Sequence, residues 1–259
     1  MLLATWNVNG LRARFDFVLH WLRARSPDVV GLQELKLEGD HFPHDELRAA
    51  GYECLVHGQK AWNGVAILAK TPIREVQRGL PGQAALGARL LTGEVGGITY
   101  STIYVPNGKS VEHPDFPLKL AWLDALIEHI RATHAPNRPL IVGGDFNLCP
   151  TDLDSWNENV LAGAIFHTKD ERDRFRRLTE WGLADVFRVR HPDTKAFSWW
   201  DYRSGAFHRG MGLRIDLILA TKPALDRVES IEIDRDYRKK KDGLIPSDHA
   251  PVLLTLRDG

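Results

Sequence analysis

The chain has 259 residues, of which 43% are apolar and 26% charged, so it is predicted to fold around a substantial core and not to be disordered. The charges of its 34 basic and 34 acidic side chains cancel. A basic surface that binds a polyanion would therefore have to be balanced by acidic groups elsewhere, and a metal site is one natural place for them. Cys54 and Cys149 are too few for a disulfide framework and lack zinc-site spacing, and we expect both to be small core residues in a reducing compartment. The sequence shows neither a signal peptide nor a membrane span, which predicts a cytoplasmic protein with no membrane partner.

Apolar runs bounded by turn residues predict a series of short strands in the first half of the chain. These strands span 2–6, 29–32, 52–57, 65–70, 89–94 and 98–105. Helical spacing of apolar residues predicts helices over 14–25 and 45–50. The last four strands follow one another without a helix between them, so we expect an antiparallel stretch there.

The second half is predicted to alternate helices and strands. Helices are expected over 117–131 and 170–181, and strands over 140–142, 215–220 and 252–256. The second of these helices carries four arginines, a density more typical of a solvated helix face than of a ligand site. Because no linker, repeat or change of composition divides the chain, we predict one domain over residues 1–259.

The strand at 140–142 ends in the sequence Gly143-Gly144-Asp145-Phe146-Asn147. If the backbone stays extended there, Asp145 and Asn147 project to the same side, where a base and a neutral hydrogen-bond donor can share one target. An Asp after two glycines is equally typical of a turn or a helix cap. The pentapeptide alone leaves both interpretations open.

Two further segments carry polar groups in apolar surroundings. Asp216 is a lone carboxylate inside an apolar strand, so it needs a partner, for which histidine is the usual choice in a working site. The aromatic run 197–202 is followed by arginines that include Arg214. Such a mixture suits stacked bases flanked by phosphates, although an aromatic strand packed in a core is the commoner explanation.

Polar residues recur at the ends of the predicted strands or in the loops just beyond them. They are Asn7, Asn9, Glu34, Tyr104, Asn107, Asp145, Asn147, Asp216, Asp248 and His249. In an α/β sandwich these positions form one rim, and a set of oxygen ligands without cysteine fits Mg²⁺ or Mn²⁺ better than zinc. A hard cation beside an Asp base and a His that holds an oxyanion indicates phosphoester hydrolysis.

Seven blocks of the sequence, in order from the first strand to the last, resemble the exonuclease III family of DNA-repair nucleases, within the endonuclease/exonuclease/phosphatase superfamily. The blocks are 6–10, 32–36, 63–67, 104–108, 144–147, 212–216 and 247–251. The resemblance implies an α/β fold, a four-layer sandwich of two mixed, mainly antiparallel β-sheets flanked by helices. It also implies a Mg²⁺-dependent nuclease in which Mn²⁺ can substitute, acting as a monomer on double-stranded DNA with 3′ ends, nicks or abasic sites.

The resemblance also assigns roles around a metal ion and its reacting phosphate. Glu34 would be the main metal ligand, with Asn7 and Asp248 close to it. Asp145 would activate water, and Asn147 would hold this water and the phosphate in place. Asn9 matches a position that is acidic in some relatives, so the resemblance does not assign it as a ligand.

Further roles concern the phosphate and the DNA. His249 would bind the scissile phosphate and be oriented by Asp216, while Tyr104 would assist the leaving oxygen or bind the phosphate. The DNA contacts implied by the resemblance are Asn107 at a phosphate, Trp199 and Leu213 around a sugar that lacks its base, and Arg214.

Family activities include cleavage 5′ of abasic sites, 3′-to-5′ exonuclease action and removal of 3′-blocking phosphates. Phe166 and His167 lie where relatives proficient on abasic sites tend to carry a small residue, so we hypothesise a bias toward exonuclease action and 3′-end cleaning. Two other functions stay open as alternatives. One is a catalytically silent nucleic-acid-binding regulator on the same fold, and the other is a phosphatase of small phosphoesters.

Overall fold

The computed structural model describes residues 1–257 and consists of two six-stranded mixed β-sheets packed face to face, with helices against their outer faces. The strands are β1 (Leu2–Asn7), β2 (Val29–Gln33), β3 (Glu53–His57), β4 (Val65–Ala69), β5 (Arg74–Arg78), β6 (Leu90–Val95), β7 (Ile98–Tyr104), β8 (Leu140–Asp145), β9 (Leu183–Asp185), β10 (Asp216–Thr221), β11 (Val228–Ile233) and β12 (Val252–Leu256). The helices are α1 (Leu11–Arg25), α2 (His44–Ala49), α3 (Asp115–Thr133), α4 (Glu158–Leu161), α5 (Lys169–Trp181), α6 (Val186–Arg190) and α7 (Lys222–Leu225). This architecture confirms the predicted four-layer sandwich.

The strand order brings the polar strand ends to one edge of the molecule. The first sheet has the order β11-β12-β1-β2-β4-β3 and the second β5-β6-β7-β8-β10-β9. The pairs β1–β2 and β7–β8 are parallel, so these four strands end at this common edge. The strands β4, β10 and β12 run antiparallel to their neighbours and therefore begin there. Residues just after β1, β2, β7 and β8 and just before β4, β10 and β12 consequently meet.

Glycines allow the backbones to approach closely between and within the sheets. A Cβ added to Gly31 of the first sheet would lie 2.2 Å from the hydroxyl oxygen of Tyr100 in the second. That hydroxyl donates a hydrogen bond across the interface to the carbonyl of Ala4, at 3.2 Å. A Cβ on Gly144 would lie 2.0 Å from the carbonyl oxygen of Ile103 in β7, so only glycine fits in β8 immediately before Asp145.

The predicted strands and helices are present with small differences at their ends, but three strands were missed. Of these, β5 is mostly exposed and polar, β9 has three residues, and β11 is an edge strand with exposed glutamates. The aromatic run 197–202 is not a strand, and Trp199 forms only isolated bridges. Cys54 is partly exposed and only Cys149 is a core residue, and both are free thiols. Among the helices of residues 1–257, none is both long and apolar enough to span a membrane.

Candidate active site

Both sheets contribute polar side chains to the common edge. Glu34 follows β2 and His249 precedes β12 in the first sheet, whereas Asp145 ends β8 in the second. One ligand atom from each of these three side chains lies within 4.8 Å of the others. The edge therefore gathers two carboxylates and an imidazole in a space that suits one cation or one phosphate.

Asn7 and Asp145 each have a double role. One side-chain oxygen of each residue accepts a hydrogen bond that closes a local turn, and the second polar atom of each side chain takes part in the site. Oδ1 of Asn7 accepts from the backbone N–H of Asn9 at 2.9 Å, and Oδ1 of Asp145 accepts from that of Asn147 at 2.9 Å. The amide Nδ2 of Asn7 donates to Glu34 Oε1 at 2.8 Å and to Asp145 Oδ2 at 2.9 Å. The turn-former and site interpretations of Asp145 are thus compatible, although the chain is not extended through Asn147, where φ is 47°.

The partner of Asp216 is His249. Nδ1 of this imidazole lies 2.9 Å and 3.1 Å from the two carboxylate oxygens, and the opposite nitrogen, Nε2, lies 3.9 Å from Asp145 Oδ2. Burial alone would lower the pKa of His249, but the charge and hydrogen bond of Asp216 outweigh burial and raise the pKa to about 10. A raised pKa favours the protonated ring, in which Nδ1–H donates to Asp216 and Nε2–H is left as a donor for a substrate.

The donor set and its electrostatics fit a hard divalent cation. Burial, followed by the charges of Asp216 and Glu34, outweighs the opposing charge of His249 and raises the pKa of Asp145 to about 7. The pKa of Glu34 is lowered, because Lys36 and Asn7 outweigh the effect of its burial. Closely packed carboxylates in a buried setting are stabilised by a cation, and carboxylate oxygens are the ligands that Mg²⁺ and Mn²⁺ prefer.

Asp248 and Asn9 support this centre through a chain of hydrogen bonds. The two oxygens of Asp248 accept from Asn9 Nδ2 at 2.8 Å and from Trp199 Nε1 at 3.0 Å. Oδ1 of Asn9 accepts from Lys36 Nζ at 2.6 Å, and the same ammonium lies 2.8 Å from Glu34 Oε2. Both ends of the Asn9 amide are thus engaged by protein groups, and Asp248 is connected to Glu34 through Asn9 and Lys36.

Asn147, Asn107 and Tyr104 lie next to Asp145 on the second sheet and the loops that follow it. Nδ2 of Asn147 donates to the carbonyl of Val105 at 2.9 Å, and its Oδ1 accepts from Asn107 Nδ2 at 3.3 Å. The guanidinium carbon of Arg89 lies 4.7 Å from the centre of the Tyr104 ring. Burial and the nearby charges of Glu34 and Asp145 raise the pKa of Tyr104, so its hydroxyl stays protonated as a donor.

A small apolar cluster lies beside the centre, at the position of the predicted sugar pocket. Leu213 belongs to a buried cluster with Cys149 and Ile215, and the partly buried Trp199 and Phe166 pack against this cluster. Trp199 and Leu213 exchange backbone hydrogen bonds of 2.9 Å, which fixes one wall. The structure thus brings together three of the residues that the sequence suggested for a sugar pocket.

Two predicted DNA contacts need correction. Arg214 is only 1% exposed, and its guanidinium pairs with Asp154 at 2.7 Å and Asp185 at 2.6 Å, so it holds the core together and cannot reach DNA. His167 is 3% exposed, and its Nδ1 lies 3.1 Å from the backbone carbonyl oxygen of Ile165. A ring so deeply buried is not placed to contact a nucleic acid.

Two features near the site were missed by sequence reasoning. A groove of about 580 Å³ begins at Tyr104 and Asn107 and is lined by Trp62, whose 69% exposure is unusual for so large an aromatic residue. Trp62 lies in the loop before β4, one residue before the block 63–67. That block supported the family resemblance, but nothing in it pointed to Trp62. Lys119 is fully buried behind Asn147. It lies three residues before Trp122, on the apolar stripe of α3, and this spacing could have indicated that the lysine is buried.

Several residues at this edge have a left-handed backbone conformation. The residues Asn9, Glu34, Lys36, Asn63 and Asn147 beside the common edge have φ between 47° and 55°, and only Ser26 and Asp242 share this range elsewhere among residues 1–257. Left-handed conformations cost energy for residues with a Cβ, and they persist where the surrounding structure fixes them. Their clustering here supports a functional interpretation of the edge.

The fold and this edge are typical of phosphoester hydrolases, and comparison with known proteins specifies the family. The model of the endonuclease/exonuclease/phosphatase family matches residues 4–249. Exodeoxyribonuclease III of Haemophilus influenzae is 35% identical, covering 96% of this chain and 97% of that protein. A 3′-phosphatase from Neisseria bound to a product DNA hairpin has a TM-score of 0.93 at 35% identity over 99% of both chains, and an AP endonuclease from Archaeoglobus fulgidus has 0.94 at 32% identity over 99% of both chains.

The chain belongs to the endonuclease/exonuclease/phosphatase family. Within it, the near full-length likeness to exodeoxyribonuclease III makes the protein a hydrolytic nuclease, as the sequence blocks predicted. Nucleases of this family depend on a metal ion, in agreement with the acidic group at Glu34 and Asp145. The three relatives are named for three different activities, so likeness alone does not choose among them.

Proposed function

We propose that this protein is a Mg²⁺-dependent DNA-repair phosphodiesterase that removes nucleotides and blocking groups from the 3′ ends of duplex DNA. The observation that carries the proposal is the convergence of Glu34, Asp145 and His249 within 4.8 Å at the edge shared by both sheets. The names of its relatives support DNA as the substrate. Because these three side chains come from one chain, we propose the monomer as the active unit.

Glu34 is the proposed main ligand of the metal, with Asn7 beside it and Asp248 connected to it through Asn9 and Lys36. Bound there, Mg²⁺, or Mn²⁺ in its place, would neutralise charge on the phosphate oxygens. Asn7 donates to both Glu34 and Asp145 and so fixes the distance between the ligand and the base.

The chain's own residues then divide the work of hydrolysis. Asp145 takes a proton from the attacking water, and Asn147, held by Val105 and Asn107, orients this water and the phosphate. His249 donates a hydrogen bond from Nε2 to a phosphate oxygen, while Asp216 holds the ring at Nδ1. Tyr104 contributes a neutral hydroxyl donor beside them.

The test is a labelled duplex that carries a recessed 3′ end, a 3′-phosphate or an internal abasic analogue. With Mg²⁺ we expect release of nucleotides and phosphate from the first two substrates, and with EDTA we expect no product because the acidic group lacks its cation. Hydrolysis of inositol phosphates in the same buffer tests the phosphatase alternative. A protein that binds the duplexes but cuts none of them with Mg²⁺ would instead be the silent regulator.

Phe166 is expected to restrict abasic-site cleavage. It packs against the apolar cluster that contains Leu213 and has a φ of 73°. Phe166→Gly therefore removes the bulky side chain at a position whose backbone conformation favours glycine. We expect cleavage at an internal abasic analogue to rise about tenfold relative to 3′-end release, in line with the effect of pocket size on substrate choice.

The control for this variant is Val160→Gly, at a residue 65% exposed on the neighbouring helix α4. It should leave the ratio of the two activities unchanged. The buried His167→Gly variant serves as a second comparison. Efficient abasic cleavage by the parent that neither Phe166→Gly nor His167→Gly alters would contradict the proposed bias toward 3′ ends.

A further inference from the structure

A buried ion pair lies directly behind the proposed phosphate-binding residues. Lys119 of α3 and Glu171 of α5 have side chains that are 0% exposed and are joined by a short hydrogen bond. The same ammonium donates to the backbone carbonyl of Asn147 at 2.5 Å and to that of Asn107 at 3.2 Å. A single cation thus holds the two peptides whose side chains form the Asn107–Asn147 hydrogen bond.

The carboxylate of Glu171 also hydrogen-bonds to the segment that carries Phe166, beside the predicted sugar pocket. Oε1 of Glu171, which accepts from Lys119, also accepts from the backbone N–H of Phe166 at 3.1 Å. Oε2 accepts from the N–H of Thr168 at 3.0 Å and from its hydroxyl at 2.7 Å. Nζ of Lys119 lies 4.7 Å from the centre of the Phe166 ring. The pair therefore links the phosphate side of the site to the pocket wall.

Stability alone does not account for this pair. Burying two charges carries a large desolvation penalty, and apolar residues of similar size often give equal or greater stability. The packing of α3 on α5 already has its own ion pairs, because Arg174 and Arg177 of α5 both bind Asp124 of α3. In contrast, Lys119 and Glu171 hydrogen-bond to Asn147 and Phe166, whose φ values of 47° and 73° need external support.

We propose that Lys119 and Glu171 are positioning residues that fix the distance between the phosphate-holding amides and the Phe166 wall, and thereby set the preference between 3′ ends and abasic sites. This inference rests on the proposed function. The pair acts through the peptides of Asn107, Asn147 and Phe166 and through the contact of Lys119 with the Phe166 ring. Misplacement of such groups by about 1 Å can cost up to about a hundredfold in rate.

The test is the double variant Lys119→Met/Glu171→Gln, which removes both charges and leaves no lone buried ion. We expect kcat for release of a 3′-terminal nucleotide to fall about tenfold, with KM within about threefold of the parent value. We also expect the ratio of abasic-site cleavage to 3′-end release to rise at least about threefold, because the wall is no longer held against Asn147. A purely structural role would lower both activities together.

The matched control is Arg174→Met/Asp124→Asn, which removes the pairing of Asp124 with Arg174 and Arg177 between the same two helices and leaves Arg177 its contact with Glu128. It should change the activity ratio by less than about twofold. If thermal unfolding shows that the first double variant is unfolded, Glu171→Asp, which withdraws the carboxylate by one methylene, should shift the ratio in the same direction.

An unchanged ratio in the folded variants, or an equal shift in the control, would overturn the positioning role. A parent protein that processes neither the 3′ end nor the abasic site with Mg²⁺ would overturn the proposed function itself. The two failures are therefore distinguishable in one assay.

Discussion

We expect Asp145→Asn to lower kcat for release of a 3′-terminal nucleotide by about 10³- to 10⁴-fold, the upper range for loss of a general base. The amide has nearly the same shape, and its oxygen can still accept from the N–H of Asn147, so the turn that follows β8 is kept. It cannot take a proton from water. Single-turnover rates with Mg²⁺ on a recessed duplex, measured beside DNA affinity, would show a loss in rate with binding retained.

The control for this variant is Asp152→Asn, at a carboxylate whose side chain is 75% exposed. It should retain the parent rate. A tenth or more of the parent rate in Asp145→Asn would show that another group activates the water.

His249→Asn is expected to lower kcat and kcat/KM together by about 10²- to 10³-fold, since it removes a charged donor that acts on the phosphate in the transition state. Burial of Asp216 without its partner adds a loss of stability, so the thermal unfolding midpoint should fall as well. Rates must therefore be compared well below that midpoint.

Asp216→Asn separates the two effects, because it keeps the imidazole but removes the charge that orients it. We expect an intermediate loss of kcat for this variant. His41→Asn, at a side chain that is 61% exposed, is the control and should be neutral. A His249→Asn enzyme that loses affinity for DNA but keeps its kcat would contradict a role in the transition state.

Much of the site was predictable because its residues stand where strands end. Glu34, Asp145 and Asp216 each adjoin an apolar run, and the alternation of strands brings such positions to one edge. The partnership of Asp216 with His249 followed from the cost of burying a lone carboxylate. These inferences needed only local patterns and general rules for sheets.

The sequence could not show which polar side chains are already paired with other side chains of the protein and are therefore not free to bind DNA or metal. Arg214 belongs to a block that resembles DNA-binding nucleases, but Asp154 and Asp185, which are 60 and 29 residues away, neutralise it in the interior. Asn9 is likewise occupied at both ends, by Lys36 and by Asp248. Such pairings are set by tertiary packing over long separations, which no local pattern records.

The site takes residues from both sheets, so nuclease activity requires that both sheets are folded and packed together. Asn7 and Asp145, which share a hydrogen bond, are 138 residues apart, and the indole of Trp6 donates to the carbonyl of His249 across 243 residues. A fragment containing either sheet alone would hold only half of the residues. In a denaturant titration, the loss of nuclease activity and the change in intrinsic tryptophan fluorescence should therefore share one midpoint. No partly folded intermediate should cut DNA.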